Sequence, residues 1–157
     1  MSDLSTHHAT FVIERTYAAS PARVFNAWAD PAAKLRWFGC HNEENNARHE
    51  LDFRVGGREL LKTGPASGPV HAFDAHYQDI VPGRRIIYSY DLRVDEKRIS
   101  VSLATVELEP AGSGTRLKFT EHVVFLDGNE NAVEREEGTR EGFDRLDAAL
   151  LREPAAA

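Results

Sequence analysis

The residue that most invites chemistry in this sequence is Glu121. Leu117, Phe119, Glu121, Val123 and Phe125 alternate onto one side of an extended segment, which puts a carboxylate in an otherwise apolar row. Arg15 sits the same way between Ile13 and Tyr17. Burying a lone charge is expensive, so each needs a partner or a route to solvent. Paired or partly paired, such groups could bind a carbonyl or carboxylate or move a proton. Tyr88 and Tyr90 share a parity, and Trp37 and Phe38 follow a short helical stretch; together they could line a pocket or simply fill a core.

Other chemistries find less support. Seven histidines invite metal, but His71 and His76 point to opposite faces of one strand, and His7 and His8 fall in an expected mobile terminus. Cys40, His41, Glu43 and Glu44 offer ligand types without zinc spacing, so no metal or other cofactor is expected. Ser100 and Ser102 lie inside a strand and not in a nucleophile elbow, and Cys40 beside His41 cannot easily aim at it. The glycines at 64, 68 and 83 match neither phosphate-loop fingerprint.

The elements that must position these residues come in a clear order. Thr10–Tyr17 alternates as a strand. Ser20-Pro21 and Asp30-Pro31 start two short helices, the first with Val24, Phe25 and Trp28 on one face and the second ending near Gly39. Strands then follow: Arg48–Val55 with His49, Leu51, Phe53 and Val55 on one face, a Gly56-Gly57 turn, Arg58–Thr63, Val70–Ile80, Arg85–Val94, Arg98–Leu108 and Thr115–Phe125. The apolar phase slips between Leu103 and Val106, which predicts a bulge there. Asp52 and Arg54 read as a surface ion pair. A helix from about Ala132 to Arg152 closes the chain, with Phe143, Leu146, Leu150 and Leu151 at helical spacing and with Gly138 and Gly142 four apart, where something approaches closely or the helix bends; the last five residues are expected to fray. Strands followed by a helix give an α+β class, with a long antiparallel sheet curling around one helix.

Composition narrows the partners. The 157 residues suit a single domain (1–157), and a formal charge of −6 argues against sequence-independent nucleic-acid binding. One cysteine forms no internal disulfide, as expected of a cytoplasmic protein. The first residues show no export-signal pattern and no apolar run is long enough to cross a membrane, so no membrane association is expected.

The element order resembles the helix-grip fold of the START/Bet v 1-like (SRPBCC) superfamily. Within it, the chain is similar to the family related to the C-terminal domain of the Hsp90 ATPase activator. The residues that carry the likeness are Ser20-Pro21-Ala22-Arg23-Val24-Phe25-Asn26-Ala27-Trp28, Asp30-Pro31, Trp37-Phe38-Gly39, Asp52-Phe53-Arg54-Val55-Gly56-Gly57-Arg58, Ile80-Val81-Pro82-Gly83-Arg84-Arg85-Ile86, Gly114-Thr115-Arg116-Leu117 and Gly142-Phe143-Asp144-Arg145-Leu146. The family often has proline where Cys40 stands.

The resemblance implies a cavity between sheet and long helix, with the first and last strands adjacent. An Arg15–Glu121 pair is the resulting expectation, either as a register-fixing pair or as the polar anchors of a greasy site. The candidate ligand-binding residues are Arg15, Trp37, Phe38, Cys40, Phe53, Tyr88, Tyr90, Phe119, Glu121 and Phe143. Three functions follow from the likeness: binding of a small hydrophobic or amphipathic molecule; cyclase- or hydrolase-type catalysis with Glu121 as acid/base and a tyrosine donor; or a chaperone-linked or stress-response role. Arg48–Val55, as an edge strand, could pair with a second copy.

Overall fold

The computed structural model describes residues 3–39, 48–64 and 67–152. Cys40, His41, Glu43, Glu44 and the last five residues, all singled out above, lie outside these. Strand β1 (Thr6–Tyr17) is followed by helices α1 (Pro21–Ala29) and α2 (Pro31–Leu35). Then come β2 (Arg48–Leu51), β3 (Arg58–Thr63), β4 (His71–Val81), β5 (Arg85–Val94), β6 (Lys97–Ala111), β7 (Gly114–Leu126) and helix α3 (Ala132–Arg152). The strands form one antiparallel sheet in the order β1-β7-β6-β5-β4-β3-β2. This is an α+β helix-grip architecture, with α3 lying on the inner face of the sheet.

Local chemistry explains the helix starts. Ser20 Oγ accepts from the Arg23 amide at 3.3 Å and Asp30 from the Ala33 amide at 2.9 Å, each ahead of a proline that needs no amide partner. Helix α3 is fastened by arginines. Arg15 Nη1 meets Asp144 at 2.6 Å, Arg23 Nη2 donates to the Leu150 carbonyl at 2.8 Å, and Arg145 Nε donates to the Trp37 carbonyl at 3.0 Å. The Leu150 carbonyl is in the last turn, where a cation also suits the helix dipole.

Several expectations need correction. β1 begins at Thr6, so His7 and His8 are strand residues opposite Phe125 and Val124, not part of a mobile terminus. β2 ends at Leu51 and not at Val55, because the Arg54 and Gly57 amides turn back onto the Asp52 and Arg54 carbonyls. Gly57 is required there: a Cβ would lie 2.1 Å from the Asp52 carbonyl oxygen. The Asp52–Arg54 ion pair is present at 2.8 Å, on the surface. No bulge falls between Leu103 and Val106, which keep continuous register with His122 and Phe119. The register slips instead at Tyr77/Asp79 in β4 and at Leu92/Arg93, where β6 carries the extra Ile99. Leu103 and Val101 simply face outward, while Ser100, Ser102, Ala104, Val106 and Leu108 face inward. Leu151 is 68% exposed and leaves the helix core to Phe143, Leu146, Ala149 and Leu150. Among the described residues, no helix is long and apolar enough to cross a membrane.

Candidate functional site

Between the concave face of the sheet and α3 lies a pocket of about 510 Å³, a size in the range of small-molecule sites. Its wall is aromatic. Trp28 stacks edge-on to Trp37 at 4.7 Å, Phe38 to Phe73 at 4.9 Å and Phe119 to Phe143 at 5.2 Å, and Phe73 lies 4.7 Å from Tyr90. Seven of the sequence candidates meet here: Trp37, Phe38, Tyr88, Tyr90, Phe119, Glu121 and Phe143. Gly138 and Gly142 face the same space from α3, and a Cβ on Gly138 would meet nothing within 4 Å. The two glycines thus leave room where larger residues would narrow the pocket.

Two candidates lie elsewhere. Phe53 packs on Phe25 at 5.6 Å and on Tyr77 at 4.9 Å and does not line the pocket. Arg15 does not pair with Glu121. It is opposite Leu117 in the β1–β7 register, while Glu121 is opposite Phe11, so the two are four residues apart along the ladder, about 13 Å. Arg15 reaches Asp144 instead.

The partner of Glu121 is Arg135, on α3. Glu121 Oε2 accepts from Tyr90 OH at 2.8 Å, Ser102 Oγ at 3.1 Å and Arg135 Nη1 at 3.4 Å, while Arg135 Nη2 donates to Ser100 Oγ at 2.7 Å. All three donors converge on one oxygen. Oε1 makes no hydrogen bond among the described residues, and neither does the Tyr88 hydroxyl, although both side chains line the pocket. Two further polar atoms of lining residues, Trp28 Nε1 and Asn131 Oδ1, are buried without a partner among the described residues. Unpaired polar atoms in a buried setting are costly and mark a place for a ligand or water. Burial pushes the Glu121 carboxyl above its ordinary range, and Arg135, Tyr90 and Ser102 only partly offset this. A proton on Glu121 belongs on Oε1, because Oε2 is already an acceptor three times over.

A second buried cluster escaped the sequence reading. Lys34 on α2 and Glu59 on β3 are both fully buried and paired. Glu59 also accepts from Tyr77 OH at 2.6 Å and meets His49 Nε2 at 2.8 Å. Burial favours a neutral Glu59, but Lys34, His49 and Tyr77 outweigh it and hold the carboxyl below its ordinary range. Burial depresses the Lys34 ammonium, against the pull of Glu59. The lysine Nζ lies 4.4 Å from the Phe38 ring centre and 5.4 Å from that of Trp28, so this pair supports the pocket wall from behind. One signal was available: Glu59 alternates in phase with Leu61, an inward position.

With this geometry established, comparison with known proteins decides the family. Residues 18–151 match the model of the family described as Activator of Hsp90 ATPase homolog 1-like protein. The chain belongs to this family. It is 50% identical to an uncharacterized protein of known structure from Rhizobium leguminosarum, over 95% of this chain and 98% of that one, with a TM-score of 0.90. It is 47% identical to the Mll3558 protein from Rhizobium loti, over 92% and 99% of the two chains, with a TM-score of 0.86. It is 28% identical to protein CV1439 from Chromobacterium violaceum, over 92% and 98%, with a TM-score of 0.77. A search of curated proteins finds no match.

Proposed function

We propose that this family member binds a small amphipathic molecule in the pocket between the sheet and α3. The apolar body lies along the aromatic wall, and a neutral polar group, a carbonyl or hydroxyl, meets Glu121 Oε1 and the Tyr88 hydroxyl. The observation that carries this is the asymmetry at Glu121: one oxygen holds three donors and the other, in an aromatic pocket, holds none among the described residues. Native mass spectrometry tests it. The purified protein is expected to carry a noncovalent small-molecule adduct or to take up the neutral dye N-phenyl-1-naphthylamine at one site. Gly138→Leu, which fills the open space beside α3, is expected to abolish both. Protein that is bare and also refuses the dye removes the proposal.

A second use of the same pocket is catalytic, with Glu121 as acid/base and the Tyr90 hydroxyl as donor. It is favoured by the upward shift of the Glu121 carboxyl and the 2.8 Å Tyr90 contact. Incubation separates the two: a bound molecule recovered chemically unchanged speaks for carriage. Turnover that Glu121→Gln abolishes while binding persists speaks for catalysis.

A further inference from the structure

Arg145 lines the pocket from α3 and is half-buried. Its Nε is spent on the Trp37 carbonyl at 3.0 Å, which fixes the plane of the guanidinium. No carboxylate lies within 4.0 Å of it among the described residues, whereas Arg15, Arg135 and Arg140 are each paired with an acid. The turn before it is cleared by Gly142, where a Cβ would come 3.6 Å from Arg145 Nη2. Among the described residues, two acids line the pocket. Glu121 is taken by Arg135, and the exposed Glu134 is eleven residues away along the helix, roughly 16 Å at about 1.5 Å per residue. The site therefore holds a planar, oriented cation, half-buried and with no counter-charge among the described residues, facing space that a side chain would have filled. A guanidinium fork of this kind suits a carboxylate, which it can bind through two parallel hydrogen bonds.

We propose that Arg145 takes the carboxylate of the pocket's ligand, which makes that ligand an amphipathic carboxylic acid with a second, neutral polar group at its far end. Arg145 and Arg135, which holds Glu121, are ten residues apart on α3, roughly 15 Å along the helix axis at about 1.5 Å per residue. A chain of about ten carbons with polar groups at both ends spans that distance. The inference rests on the pocket reading above and adds the charge and length of its ligand.

The test uses 10-hydroxydecanoate and decane-1,10-diol, which differ at one end only, as competitors of bound N-phenyl-1-naphthylamine at pH 8. The acid is expected to displace the dye at about tenfold lower concentration than the diol, as one charge-assisted contact allows. Arg145→Gln can keep a hydrogen bond to the Trp37 carbonyl but has no charge, and it is expected to bring the acid-to-diol ratio close to one. Arg145→Lys, which keeps the charge but not the fork, is expected to restore part of the preference, and Arg140→Gln, whose arginine is paired with Glu136, to retain it. A ratio near one in the unmodified protein, or a preference that survives Arg145→Gln, overturns the role of Arg145 and leaves the pocket reading standing. Failure of the dye to bind protein that native mass spectrometry finds bare overturns both.

Discussion

Lys34→Met is expected to cost the fold about 3–5 kcal/mol, the loss typical when one member of a buried ion pair is removed and the other stays charged. Lys34 and Glu59 have no exposed surface, so the stranded Glu59 carboxylate cannot turn to water. Tyr77 and His49 remain as donors, but neither supplies a permanent charge. The double variant Lys34→Met, Glu59→Leu is expected to return to within about 1–2 kcal/mol of the parent, since a packed apolar pair of similar volume often equals a buried ion pair. Urea unfolding of the three proteins checks both values. A single variant as stable as the parent would show that Lys34 does not hold Glu59. The consequence reaches the pocket, because Phe38 and Trp28 rest on the lysine head.

Arg135→Met is expected to destabilise in a pH-dependent way. Glu121 already has its carboxyl raised by burial, and Arg135 is the cation that opposes this. Without it the folded-state value moves further up from the ordinary 4.5. Above 4.5 the unfolded chain has released this proton while the folded chain still holds it. Folding stability carried by that proton is therefore complete below the unfolded value and is lost as pH rises through the folded one, by about 1.4 kcal/mol per pH unit inside the window. The variant is expected to lose about 3 kcal/mol relative to the parent at pH 8 and distinctly less at pH 5, where a neutral Glu121 needs no counter-charge. Adding Glu121→Gln should flatten the difference. Denaturation at the two pH values measures it, and an equal loss at both would mean that Arg135 contributes packing and not charge.

The order of strands and helices along the chain, both helix starts and the inward direction of Glu121 were legible because each rests on local periodicity or capping. The partner of Glu121 was not. The adjacency of β1 and β7 that the family resemblance implies is present, but register decides which residues face each other, and it sets Phe11 and not Arg15 against Glu121. The true partner comes from α3, and a helix docking onto a sheet leaves no trace in the period of either. The false bulge in β6 has a related cause. Polar Ser100 and Ser102 point inward to serve Arg135 and Glu121 while Val101 and Leu103 point out, so the apolar pattern inverts at the site. A break in binary pattern there marked the polar cluster, not a backbone defect. Lys34 was hidden differently: a five-residue helix is too short for its apolar face to be read.

The two tryptophans of the chain, Trp28 and Trp37, both line the pocket, so their emission reports on that space. Titration with N-phenyl-1-naphthylamine, followed by energy transfer from these residues to the dye, is the most direct test of a ligand site under α3. A saturable signal with one dye per chain, lost in Gly138→Leu, is the expected result. A signal that never saturates, or one that Gly138→Leu leaves intact, would mean that small apolar molecules do not settle between the helix and the sheet.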